Sequence, residues 1–129
     1  MSARSNLTRW RAVSATGIVC ASFALPAVAQ SIICPMPQET SRPGVLKEMP
    51  DQIAETGKVL ASGNGIKRVP EVVADLRKRY PGVSDAELVN YLVTAYCPQV
   101  AKLDRLSAGE QRARVNLFAR QASMAVYGH

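Results

Sequence analysis

Apolar residues recur along this chain at helical spacing, and no segment alternates as a half-buried strand would. The strongest run is Ser84 to Leu103, where Leu88, Val89, Leu92, Val93, Tyr96, Val100 and Leu103 fall at intervals of three and four. Ser84 and Glu87 have the spacing of a capping box, and Asp85 and Glu87 place negative charge at the positive end of the helix dipole. Pro98 lacks a backbone donor and crowds the carbonyl of Thr94. It predicts a kink or break at Cys97–Pro98, with the helix resuming toward Leu103.

Three weaker stripes accompany this one. Leu46, Met49, Ile53, Gly57 and Leu60 mark a helix over Val45–Ser62, its ordered part starting near Pro50, because proline suits a first turn. Gly63-Asn64-Gly65 predicts a left-handed stop. Val69, Val72, Val73, Leu76 and Tyr80 mark a second helix, with Pro70 near its first turn and Tyr80-Pro81-Gly82 as its stop. Glu71 and the run Arg77-Lys78-Arg79 match its dipole, and Asp75 with Arg79 forms an i,i+4 pair. Ser107 and Glu110 form a second capping box, which opens a helix to about Tyr127. Val115, Phe118, Ala119, Ala122 and Val126 face one way, and Glu110 can pair with Arg114 across one turn. The expectation is an all-α fold, a small four-helix bundle over residues 45–129, with sequence neighbours antiparallel because the loops are short.

The first 29 residues follow a different pattern. Arg4, Arg9 and Arg11 precede an uncharged run from Ala12 to Leu25, and Ala27-Val28-Ala29 has the small-x-small form of a cleavage site. This is the layout of a secretory signal peptide, so residues 1–29 are expected to be removed near Ala29 and the protein to reach the periplasm or the exterior. The competing reading is a membrane anchor, since the apolar run approaches bilayer-spanning length. Residues 30–44, with Pro35, Pro37 and Pro43, read as an extended arm.

Removing the leader changes the charge and cysteine counts. No acid lies before residue 30, whereas three of the sixteen basic residues do, so the net charge falls from +6 to +3. Three cysteines become two, Cys34 and Cys97, and an even pair in an exported chain reads as a disulfide. Closing a loop of about 60 residues is worth roughly 4 kcal/mol by chain entropy.

Little in the sequence points to catalysis. The only histidine is His129, so neither a His-based triad nor a His-based metal site is expected. The ten carboxylates make no calcium loop and read as caps and surface ion pairs. Cys34-Pro35 and Cys97-Pro98 are Cys-Pro dipeptides of the kind that resembles regulatory haem-binding sites, beside the plainer reading of a structural bridge. Lys67, Arg68, Arg77, Lys78 and Arg79 bracket one helix and form a possible patch for an anionic partner, beside the plainer reading of a solvated face. No aromatics interleave with them, which disfavours nucleic acid. Tyr91 and Tyr96 read as core or rim.

In layout, the Cys34/Cys97 pair, the leader and YPGVSDAELVNYLVTAYCP resemble the small exported, all-helical, single-disulfide proteins of Gram-negative bacteria. A more distant similarity in plan is to periplasmic acid-stress chaperones, from which this chain departs in its proline-containing arm, its cysteine spacing and Pro98. The lack of a catalytic set, together with apolar faces broad enough to leave surface for a partner, leads to the expectation of a non-enzymatic periplasmic interaction protein, either a chaperone-like module or a subunit of an envelope complex, with no cofactor and with another envelope protein or an anionic surface as partner. The alternatives are a haem or redox module using the Cys-Pro pairs and an enzyme built on carboxylates and tyrosines.

Overall fold

The structure, a computed structural model, describes residues 32–35 and 45–128. The expected leader over 1–29, most of the arm over 30–44, and His129 lie outside the described residues. Four helices follow one another: α1 (Pro50–Ala61), α2 (Gly65–Arg79), α3 (Asp85–Ala101) and α4 (Ala108–Tyr127), with no strand among the described residues. None of these helices is long and apolar enough to cross a membrane.

α3 is the central element. Its most extensive partners are α1 and α4, and α2 completes a ring by touching α1 and α4. The sequence neighbours α2 and α3 are not a principal packing pair, contrary to the expectation from short loops. The turn at Gly82, with φ of 90°, and the Arg77–Asp85 ion pair at 2.6 Å join their ends without laying them face to face.

Leu60, Val69, Leu76, Leu88, Leu92, Val100, Ala122 and Val126 are each at most 2% exposed. Burying each of the larger side chains contributes about 1.5–3 kcal/mol. Tyr96 of α3 stacks on Phe118 of α4, with ring centroids 3.9 Å apart. α1 and α3 approach so closely that a Cβ on Gly57 would stand 2.2 Å from the Ala95 carbonyl oxygen. Glycine is required there by space.

Both capping boxes form as the sequence indicates. Ser84 Oγ accepts from the Glu87 N–H at 3.2 Å, and Ser107 Oγ from the Glu110 N–H at 3.3 Å. Each Glu reaches back to the N–H of its serine, at 2.9 and 2.7 Å. The Glu110 carboxylate is therefore committed to the cap, and the expected pair with Arg114 does not form among the described residues.

The prolines and glycines behave differently from expectation. α3 runs through Pro98 without a break. Proline costs roughly 3 kcal/mol inside a helix, but Cys97 and Val100 beside it are each 1% exposed, and breaking the helix would disturb burial worth at least as much. The proline ring itself faces solvent. The same holds in α2, where Pro70 lies six residues into the helix, exposed, between buried Val69 and Val73. Gly63-Asn64-Gly65 makes no left-handed stop: Asn64 has φ −112°, and Gly65 already opens α2. Gly65 is needed because a Cβ there would sit 1.7 Å from the Leu60 carbonyl oxygen.

Candidate functional site

Met49 precedes a proline and is held extended, with φ −72° and ψ 153°. Residues 45–49 therefore run as a non-helical strap, laid across the end of α2 and the start of α3. Val45 N–H donates to Glu87 Oε1 at 3.0 Å, so the carboxylate that caps α3 also anchors the strap. Donors from Ser84, then Val45 and Leu46, hold the Glu87 carboxyl below its ordinary range.

The strap inserts one carboxylate into the protein. The Glu48 side chain is 1% exposed and meets the Arg79 guanidinium. The Tyr80 hydroxyl lies 2.8 Å from Glu48 Oε1 and 2.8 Å from the Lys47 carbonyl oxygen, its single proton shared between two acceptors. On the other side, the Tyr91 hydroxyl donates to Glu48 Oε2 at 3.3 Å. The Thr56 hydroxyl lies 3.0 Å from the Tyr91 oxygen and donates to it, since Tyr91's own proton goes to the carboxylate. Arg79 also holds Asp75, at 2.9 Å. Burial would lower the Arg79 pKa, but Asp75 and Glu48 outweigh it and raise it. The hydrogen bond to Glu48, then burial, raises Tyr80. Burial pushes Tyr91 up to about 12, opposed by the Thr56 hydrogen bond and reinforced by Glu48.

Chemically this cluster is a closed clasp. The phenols stay protonated and act as donors, and the carboxylate they face is already matched by a guanidinium. Beside it lies a hollow of about 320 Å³ lined by Glu48, Asp51, Gln52, Glu55, Thr56 and Arg79. Among the described residues no group of three His, Cys, Asp or Glu side chains is placed to hold a metal ion.

The two cysteines form one disulfide, with Sγ atoms 2.10 Å and Cα atoms 5.6 Å apart. Cys97 is buried on α3, and Cys34 brings the short segment 32–35 onto that helix. Both sulfurs are occupied, so neither is a thiolate ligand in this state.

The five basic residues singled out in the sequence do not form one cluster. Lys67 and Arg68 lie in the first turn of α2, and Arg77, Lys78 and Arg79 in its last, roughly 15 Å away along the axis. Arg68 pairs with Glu71 at 2.8 Å, Arg77 with Asp85, and Arg79 with Asp75 and Glu48. Lys67 and Lys78 are exposed at opposite ends of the helix.

Two features escaped the sequence reading. One is the clasp, in which Glu48 lies 31 to 43 positions along the chain from Arg79, Tyr80 and Tyr91 and shares no local pattern with them. The other was visible. Ala113, Leu117, Arg120, Met124 and Tyr127 follow at intervals of four, three, four and three, and all are exposed. Leu117, Met124 and Tyr127 are 49%, 67% and 55% exposed. Comparison with known protein families, curated proteins and solved structures finds no match for this chain.

Proposed function

We propose that the protein is a small exported, non-enzymatic interaction or chaperone-like module that presents the outward face of α4 to a partner. The observation that carries this reading is the apolar stripe on the solvent side of α4. Three large apolar side chains on one exposed helical face exceed the scattered exposure normal to a monomer. The closed state of the Glu48 clasp supports the non-enzymatic part, because its carboxylate and both phenols already serve one another.

Export is part of the same proposal. The disulfide supports an oxidising compartment, and the likeness to small exported helical proteins agrees with it. Intact mass of the exported protein is expected to place its first residue at Gln30; a mass retaining Met1 to Ala29 counts against cleavage. The ring of helix pairings supports a four-helix bundle, with α3 continuing unbroken through Pro98.

The functional test is co-purification from the native envelope. The wild type is expected to recover a partner that the Leu117→Ser/Met124→Ser double variant loses while keeping its circular dichroism spectrum. Equal recovery by both proteins would remove the reading.

A further inference from the structure

α4 has two apolar sides. At 100° per residue, Phe118, Ala122 and Val126 centre on the buried side, and Leu117, Met124 and Tyr127 centre on the side roughly opposite. Arg120 lies within the outer stripe, and Arg114 flanks it. Neither arginine enters an ion pair among the described residues. The one acid of α4, Glu110, is taken by the Ser107 cap. The outer face therefore combines a narrow apolar seam with uncompensated positive charge.

We infer that this face docks an acidic amphipathic helix of a partner protein. This rests on the interaction-module reading above and names its partner class. Three features of the face select this occupant. The four-three-four-three spacing of Ala113, Leu117, Arg120, Met124 and Tyr127 is that of a helix–helix seam, which a second helix fills knob into hole. A lipid surface asks for a broad apolar face with its cations on the other side, whereas here Arg120 sits within the stripe. A second copy centred on the same seam sets Arg120 against Arg120, a like-charge contact that selects against self-association. What complements the face is a helix with apolar residues opposite Leu117 and Met124 and a carboxylate opposite Arg120, where a guanidinium and a carboxylate can pair in bidentate fashion.

The test uses the full disulfide-bonded protein and two synthetic three-heptad peptides. Both carry a leucine seam; one places Glu and the other Lys at the positions facing Arg120. The Glu peptide is expected to bind roughly tenfold or more tightly than the Lys peptide and to shift the amide signals of Leu117, Arg120 and Met124. Arg120→Glu is expected to reverse the preference, and Leu117→Ser to weaken both peptides with an unchanged circular dichroism spectrum. Equal affinities, shifts confined to other helices, adsorption to phosphatidylglycerol vesicles in place of peptide binding, or a dimer broken by Leu117→Ser would each overturn the assignment. If the double variant loses its envelope partner but neither peptide is preferred, the acidic-helix assignment falls and the interaction reading stands. If the double variant keeps that partner, the interaction reading itself falls.

Discussion

α3 and α4 look alike in sequence, each carrying apolar residues on more than one side, yet they end differently. From Tyr91 onward in α3 burial runs nearly all the way round: Tyr91, Leu92, Thr94, Ala95, Tyr96, Cys97 and Val100 are all buried. Two helices cover it, and the segment tethered through Cys34 is brought onto it from a third direction. α4 buries Gln111, Phe118, Ala122 and Val126 against α3 and α2, and no described residue covers the opposite side. Apolar periodicity counts the faces a helix could bury. Which faces find a partner within the same chain is set by topology and by the single covalent tie.

The largest expected effect is in α3. Leu92→Ala removes a side chain that is fully buried at the centre of the packing, and is expected to destabilise the protein by about 2–5 kcal/mol. Chemical denaturation with an unchanged slope measures it. If Leu92→Ala and Met124→Ala shift the midpoint equally, the two helices do not differ as described.

Next comes the third cover of α3. Replacing Cys34 or Cys97 by Ser is expected to cost about 2–4 kcal/mol, and combining the replacements should add little, since either one already opens the bridge. Helix content should persist, because the four helices pack on one another through a core in which the 32–35 segment has no part. Losses that add in the double variant would mean that the two side chains act separately.

Sequence reasoning reached the local caps and the covalent tie. The capping boxes at Ser84/Glu87 and Ser107/Glu110 were legible because both partners lie within one turn. The Cys34–Cys97 pairing was legible because only two cysteines follow residue 29. Pro70 lies deeper in α2 than its first turn, and Pro98 does not break α3: proline's local cost is fixed, whereas the burial of Val69, Val73, Cys97 and Val100 that outweighs it depends on distant residues. The Glu48 clasp was hidden for the same reason. Nothing near Glu48 in sequence announces that Arg79, Tyr80 and Tyr91 converge on it, or that Gln111 turns inward to donate to the Leu103 carbonyl at 3.3 Å.

The clasp gives a smaller and more specific effect. A phenol raised in the folded state favours the folded protein while it stays neutral. Its contribution is present below the ordinary tyrosine pKa of 10.0 and lost as pH climbs toward about 12. Phenolate absorbance is therefore expected to show one tyrosine titrating near 12. Thr56→Val, which deletes the donor that favours the phenolate, should move it higher. Titration of every tyrosine at the ordinary value would mean that Tyr91 is not enclosed by the strap.

The smallest effect on stability falls on the outer face of α4, and it decides the comparison. Leu117 and Met124 have the same apolar character as the residues buried in α3, so a reading from sequence alone would expect similar losses on truncation. Their exposure argues otherwise. Much of each side chain is already in water, so Leu117→Ser and Met124→Ser remove little burial. Serine has a somewhat lower helix propensity than either, but it meets no neighbour that the larger side chain was holding in place. Each replacement is expected to change stability by about 0.5 kcal/mol or less. A loss above about 2 kcal/mol would show that this face packs against part of the chain itself, and the surface offered to a partner would then be an internal interface. A loss within the small range, together with loss of the envelope partner, separates folding from binding on a single helix: its inner stripe serves the core and its outer stripe serves recognition.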